Sequence, residues 1–144
     1  NQLVHQADLL ATFAEILETP LPPDAGEDSF SLLPLLKGSD EPVRTTSVSC
    51  SIRGVPSVRS GHWKYIPAPG SGGWGTGGDQ SQPAQLYNLL TDIGESHNQA
   101  ATQPERLSEL QATLESIIAK GRSNQGPRQS NDMRVRRYQP KAAQ

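Results

Sequence analysis

Cysteine is nearly absent from this sequence of 144 residues, and its scarcity excludes two kinds of site. The single cysteine, Cys50, can form neither an intrachain disulfide nor a cysteine-rich metal site. Long apolar runs are also missing, since a membrane-spanning helix needs roughly 20 consecutive apolar residues and no stretch here approaches that length. A disulfide scaffold and a membrane partner are therefore not expected.

Apolar residues are scarce, at 33% of the chain, and the mean hydropathy is −0.59. The chain contains 13 glycines and 12 prolines, so few residues remain to form an independent hydrophobic core. The length allows at most one ordinary domain. We therefore expect a subdomain that docks on a larger surface. The sequence begins with Asn1, and it shows neither a starting Met nor an apolar leader. We therefore expect the chain to be a fragment.

Charge is unevenly distributed, although the net charge is only −2. The segment 121–144 carries six Lys or Arg and one acid, and it shows no apolar periodicity. A basic run at Arg134, Arg136 and Arg137 could suit nucleic acid, but aromatic stacking partners are nearly lacking there. We expect a flexible, solvated tail over 122–144 that can pair with the acidic body, and no nucleic-acid partner.

Two helices are predicted in the first 40 residues. Leu9, Phe13 and Ile16 recur at helical spacing within 8–18, and Asp8 can cap this helix. A short helix is predicted over 31–37. Its sequence offers Ser31 as N-cap, and Gly38 ends it.

The rest of the chain predicts a small antiparallel sheet and one long helix. Short β-forming segments lie in 44–67, and a further strand is predicted at 85–89. A glycine-rich loop, 69–83, separates them around Trp74. Thr102 and Glu105 are spaced as a capping box for an amphipathic helix over 103–120. The fold class predicted is α+β, with the long C-terminal helix packed on the sheet.

Three stretches, in this order, resemble the C-terminal third of type I, arylsulfatase-like sulfatases of the alkaline-phosphatase-like superfamily. They are HQADLLATFAEILETPLP with GEDSFSLLPLLKG, then VRSGHWKYI, then QLYNLLTDIGESHNQA. A helix that begins with Gln103-Pro104-Glu105 is also similar to the family. Two positions depart from the family pattern: Ile93 replaces the usual Pro, and Asn88 replaces the usual Asp.

The resemblance implies three segments. Residues 1–38 would be the end of the sulfatase catalytic α/β domain, 39–121 the C-terminal subdomain, and 122–144 a flexible basic tail. It implies an enzyme that hydrolyses sulfate esters in full length, through a formylglycine and a calcium ion carried by a preceding catalytic portion. It also implies a sulfated small molecule or polysaccharide as substrate, and a periplasmic or secreted location.

The formylglycine motif C-x-P/A-x-R is not found in this chain, because Ile52 and Gly54 occupy the positions of Pro/Ala and Arg after Cys50. A buried strand cysteine is the ordinary interpretation of Cys50. Asp24, Glu27 and Asp28 lack the ligand spacing of a calcium loop. No catalytic or metal-binding residue is therefore predicted, and the isolated chain is expected to be inactive.

Five residues are predicted to line the rim of a substrate site: Arg59, Trp63, Lys64, Trp74 and Tyr87. Trp63 and Tyr65 alternate with His62 and Lys64, so one face of that strand is aromatic and the other polar. Long loops in compact domains often carry function, which adds Trp74.

A second hypothesis remains open at this stage. The chain could be a stand-alone interaction module that binds a protein or polyanion through its basic tail. A fragment of an enzyme should expose a large apolar patch where its catalytic domain belongs, whereas a module should cover its own core.

Overall fold

The computed structural model describes residues 2–72, 75, 79–132 and 134–135. Within these residues the fold is α+β, with three helices and a four-stranded antiparallel sheet, as the sequence predicts. In chain order the elements are α1 (Asp8–Ile16), α2 (Leu33–Leu36), β1 (Thr46–Cys50), β2 (Pro56–Ser60), β3 (Trp63–Ile66), β4 (Gln85–Asn88) and α3 (Pro104–Lys120). None of the described helices is long and apolar enough to cross a bilayer.

The sheet is a meander, in which each strand pairs with the next in the order β1-β2-β3-β4. The register places Val58 opposite Tyr65, and Tyr65 opposite Leu86. These three side chains therefore lie on one face of the sheet, and all three are buried. That face forms the floor of the hydrophobic core.

Helix α3 covers this face. Leu110 and Leu114 are buried against Val58, Tyr65 and Leu86, and Leu107, Ile117 and Ile118 pack around them. The helix ends at Gly121, whose φ of 66° is the left-handed conformation that suits glycine after a helix. The apolar stripe that the sequence predicts is thus buried.

Helix α1, in contrast, buries its polar face. Asp8 and Thr12 are its buried residues. Its apolar side chains are exposed to solvent, with Phe13 at 56% and Leu17 at 72% of their full accessibility. The exposed apolar set, which we call the α1 stripe, comprises Leu9, Leu10, Phe13, Ile16 and Leu17.

A buried ion pair fixes α1 to the rest of the chain. The Asp8 carboxylate accepts hydrogen bonds from Arg44 Nη1 at 2.8 Å, from Phe30 N at 3.1 Å and from His5 N at 2.7 Å. The Arg44 guanidinium also lies over the Phe30 ring, 4.7 Å from its centroid. These contacts join α1 to the loop after it and to the start of the sheet.

The start of the predicted tail is held in place rather than free. We call residues 122–129 the C-terminal clasp. The buried Arg122 donates to the carbonyls of Pro23 and Pro127, and Asn124 Nδ2 donates to Gly26 O at 2.7 Å. A side chain at Gly126 would collide with the Arg122 guanidinium, so the clasp requires glycine there. Residues 136–144, with Arg136 and Arg137, lie outside the described residues.

Three local predictions need correction. Thr102 does not cap α3, because its hydroxyl donates to Gln99 O and Gln103 is the N-cap residue. The N-cap of α2 is Leu32, although the Ser31 hydroxyl accepts a hydrogen bond from Leu33 N. Cys50 is exposed at the end of β1 and not buried, since strand β1 lies at the edge of the sheet.

Candidate functional site

A row of polar side chains crosses the face of the sheet that α3 does not cover. The register pairs Ser47 with Arg59, Arg59 with Lys64, and Lys64 with Tyr87. Directly paired residues point to the same side of a sheet. Three of the five predicted rim residues, Arg59, Lys64 and Tyr87, therefore lie side by side on neighbouring strands. We call this set, with Ser47, the polar row.

Lys64 is neutralised by an acid from the loop after β4. Its Nζ lies 2.6 Å and 2.9 Å from the two carboxylate oxygens of Glu95. Glu95 adopts a φ of 55°, a conformation that non-glycine residues rarely take. The turn is held by Asp92, which accepts hydrogen bonds from the backbone of Ser96 and His97, and these bonds lower the pKa of the Asp92 carboxyl.

Only the Nε group of the Arg59 guanidinium has a hydrogen-bond partner among the described residues. Its Nε donates to Gly61 O at 2.9 Å. Among the described residues, its Nη1 and Nη2 groups have no hydrogen-bond partner. The guanidinium therefore keeps donors for an external acceptor, arranged as a planar fork that matches carboxylates and sulfates.

Tyr87 lies in the polar row but serves the structure. Its side chain is 2% exposed, and its hydroxyl donates to Gln85 Oε1 at 2.7 Å. Burial is the main cause that raises the pKa of the Tyr87 hydroxyl. Gln85 Nε2 in turn donates to Ala68 O and Gly70 O, at the entry to the glycine-rich loop. Tyr87 thus supports that loop, and its buried side chain is not accessible to a ligand.

The two tryptophans are placed differently. Trp63 lies on the face that α3 covers, where it packs on the core with the Arg106 guanidinium 5.9 Å from its ring centroid. It therefore faces away from the polar row, because strand β3 alternates its side chains. Trp74 lies outside the described residues.

His5 extends the polar face towards α1. Its Nδ1 accepts a hydrogen bond from Ala7 N at 3.2 Å, so the proton belongs on Nε2, which lies 3.1 Å from Ser49 Oγ. Sequence reasoning assigned no role to His5 and missed this contact. A sequence separation of 44 residues gives no local signal for it.

The resemblance to sulfatases implies a formylglycine and a calcium ion in a portion that precedes these residues. Over residues 2–72, 75, 79–132 and 134–135 no group of three or more His, Cys, Asp or Glu could hold a metal ion. Cys50 stands in the sequence Cys-Ser-Ile-Arg-Gly. Although the residue is exposed, neighbouring atoms partly desolvate its thiol, and this desolvation together with the charge of Asp28 raises the pKa of the thiol. A raised pKa disfavours the thiolate form.

Comparison with known proteins identifies the class. No family model matches the chain. An N-acetylgalactosamine-6-O-sulfatase of Bacteroides thetaiotaomicron is 37% identical over 120 residues, which cover 80% of this chain and 23% of that protein. A structure described with the metabolism of multiple glycosaminoglycans by Bacteroides thetaiotaomicron is 34% identical, with a TM-score of 0.63, over 76% of this chain and 24% of that one.

A third relative is a 2-O GAG sulfatase, which is 26% identical with a TM-score of 0.54 and covers 77% of this chain and 24% of its own. The chain thus spans about a quarter of the length of the relatives it matches. It belongs to the sulfatases and corresponds to their C-terminal region, which confirms the resemblance seen in the sequence.

Proposed function

We propose that this chain is the C-terminal portion of an enzyme that hydrolyses sulfate esters of a glycan. In that enzyme it completes the fold and lines part of the rim of the substrate site. The similarity to an N-acetylgalactosamine-6-O-sulfatase and to a 2-O GAG sulfatase supports a sulfated glycan as substrate. The quarter-length match to these relatives supports a larger whole protein.

The observation that carries the proposal is the inverted orientation of α1. A helix that is stable in water normally turns its apolar side inwards. Here the α1 stripe is exposed while Asp8 and Thr12 are buried. An exposed apolar face of this kind indicates a missing partner surface. The catalytic portion of the same sulfatase is the partner we propose.

The chemistry of ester cleavage would reside in that catalytic portion. Formylglycine supplies a nucleophile, and calcium supplies positive charge at the sulfate oxygens. We propose that both are held outside this chain, because its only cysteine lacks the required motif. The role left to this chain is to bind and orient the glycan. Arg59 and Lys64 are the described rim residues that face away from its core.

The interaction-module hypothesis has less support. A module should cover its own core, but the α1 stripe is open to solvent. The beginning of the basic tail is also engaged, since the clasp binds the loop at 23–29. A sulfatase that acts on glycans outside the cell would be periplasmic or secreted, and we propose that location for the whole protein.

Sulfate release by the complete protein tests the proposal. The protein from the full reading frame is incubated with a sulfated tetrasaccharide of N-acetylgalactosamine and uronate, and with a chromogenic aryl sulfate. The 144-residue chain is the matched control. We expect inorganic sulfate from the full protein and none from the control. No release of sulfate by the full protein would refute the sulfatase proposal. Release by the control would refute the proposal that the catalytic groups lie outside this chain.

A further inference from the structure

Arg59 lies where two surface clefts adjoin. One cleft, of about 320 Å³, runs over the polar face, and the other, of about 300 Å³, lies beside it. Both are lined by Leu3 and by Arg59, so the two clefts are neighbours that share these residues. Volumes near 300 Å³ are at the lower end of those of ligand sites. The pair offers one lobe to each of two consecutive units of a chain-like ligand.

The walls of the larger cleft suit a sugar. Ser47, Ser49 and Ser57 contribute hydroxyl groups to its lining, and Leu3, Val4 and Leu89 contribute apolar side chains. A lining that combines hydroxyls with apolar groups matches the mixed surface of a sugar ring. His5 adds an imidazole whose Nε2 lies 3.1 Å from Ser49 Oγ.

Arg59 supplies the positive charge that this cleft can offer to a ligand. Lys64 also lines the cleft, but Glu95 binds its ammonium through both carboxylate oxygens. Without Glu95, two cations would stand directly opposite each other on paired strands, which is destabilising. Glu95 thus neutralises the charge of Lys64, and the Nη groups of Arg59 remain as the donors available to a ligand in the cleft.

We propose that Arg59 anchors an anionic group, a sulfate or a uronate carboxylate, of the glycan that the whole protein binds. The inference rests on the proposed function, because it takes the ligand to be a sulfated glycan. The neighbouring lobe, which His62 and Ser60 also line, receives the adjoining sugar.

Binding to defined oligosaccharides tests the subsite. The full protein is titrated calorimetrically with three tetrasaccharides of one backbone: sulfated with carboxyls reduced, uronate-containing without sulfate, and uncharged. We expect the charged forms to bind more tightly than the uncharged form. Arg59→Ala should weaken the charged form that it recognises about 10-fold or more, since hydrogen bonds to charged groups contribute about 1.5–3 kcal/mol. Which form responds identifies the anionic group.

Two matched variants sharpen the result. Arg128→Ala removes the same charge from an exposed position in the clasp and should leave binding unchanged. Arg59→Lys keeps the charge but loses the planar fork, so we expect it to recover only part of the affinity. Thermal unfolding of each variant shows whether the fold is retained.

Glu95→Gln is expected to act in the opposite direction. It frees the Lys64 ammonium beside Arg59, and the affinity for the charged tetrasaccharide should rise several-fold. Equal affinity of wild type, Arg59→Ala and Glu95→Gln for all three ligands would overturn the subsite. Loss of folding in both Arg59 variants would also overturn it, because Arg59 would then be an internal contact of the whole protein.

Sulfate release measured in the same samples separates the two proposals. Release by the wild type with no effect of Arg59→Ala on binding refutes the subsite alone. Binding that depends on Arg59, without release of sulfate from any substrate, refutes the hydrolase proposal alone.

Discussion

Helix α3 buries its apolar side against the sheet, whereas α1 buries its polar side and leaves its apolar side in water. Leu110 and Leu114 are each 1% exposed, while Leu17 is 72% exposed. Both helices carry the same kind of apolar periodicity in the sequence. The difference shows that α3 belongs to a core within this chain, and it supports the proposal that α1 packs on the catalytic portion of the whole protein.

The largest expected effect concerns the polar side of α1. Asp8→Asn removes the charge that compensates Arg44, and breaking a buried pair in this way costs about 3–5 kcal/mol. The free energy of unfolding of the 144-residue chain, measured by urea titration, should fall by that amount. Asp24→Asn, at an exposed position, is the control and should be neutral. A cost below 1 kcal/mol for Asp8→Asn would show that the pair does not fix α1.

Truncation of matched leucines tests the comparison directly. In the isolated chain Leu114→Ala should cost about 2–5 kcal/mol, because it leaves a cavity in the core. Leu17→Ala, the same change in the α1 stripe, should stay within about 0.5 kcal/mol, as surface substitutions do. Equal costs in the isolated chain, from the same urea titrations, would mean that α1 packs internally after all.

The α1 stripe should behave differently in the complete protein. Phe13→Ser would raise the solubility of the isolated chain, because it removes exposed apolar area. In the full-length protein the same change should destabilise by about 1.5–3 kcal/mol, the value of a buried Phe side chain. Solubility by centrifugation and the midpoint of thermal unfolding are the two readouts. An unchanged midpoint in the full protein would show that the α1 stripe does not pack on the catalytic portion.

The smallest expected effect is a pH dependence at Asp92. Hydrogen bonds from Ser96 N and His97 N lower the pKa of this carboxyl in the folded state. Its contribution to stability is therefore present above its unfolded pKa of about 3.9 and is lost as the pH falls through the folded value. Asp92→Asn should flatten the acid limb of a stability-against-pH curve, while Asp132→Asn should not. An acid limb of equal slope in both variants would contradict this.

The sequence predicted the elements well because their signals are local. Alternation along β3 separated Trp63 from Lys64, and the stripe of α3 ended at Gly121 as glycine requires. The capping box failed because its residues fit a pattern that other contacts override. Thr102 bonds back to Gln99 O within a turn, and the helix begins at Pro104.

The site was less accessible to sequence reasoning, since its contacts are distant along the chain. Asp8 and Arg44 are 36 residues apart, and Lys64 and Glu95 are 31 apart. Apolar periodicity located the α1 stripe, but periodicity alone does not state which side a helix buries. The rim prediction named Arg59 and Lys64 by residue type, and whether they contact a substrate stays a prediction. Tyr87 was included without knowledge of its hydrogen bond to Gln85.

The C-terminal clasp bears on the order in which the chain folds. The bond from Arg122 Nη1 to Pro23 O closes a loop of 99 residues, and the bond from Asn124 Nδ2 to Gly26 O closes one of 98. Contacts so far apart in sequence form slowly, because loop closure must precede any gain from them. During synthesis the carbonyls of Pro23 and Gly26 therefore lack these donors until Arg122 and Asn124 have left the ribosome. A polypeptide that stops before Arg122 cannot close the clasp.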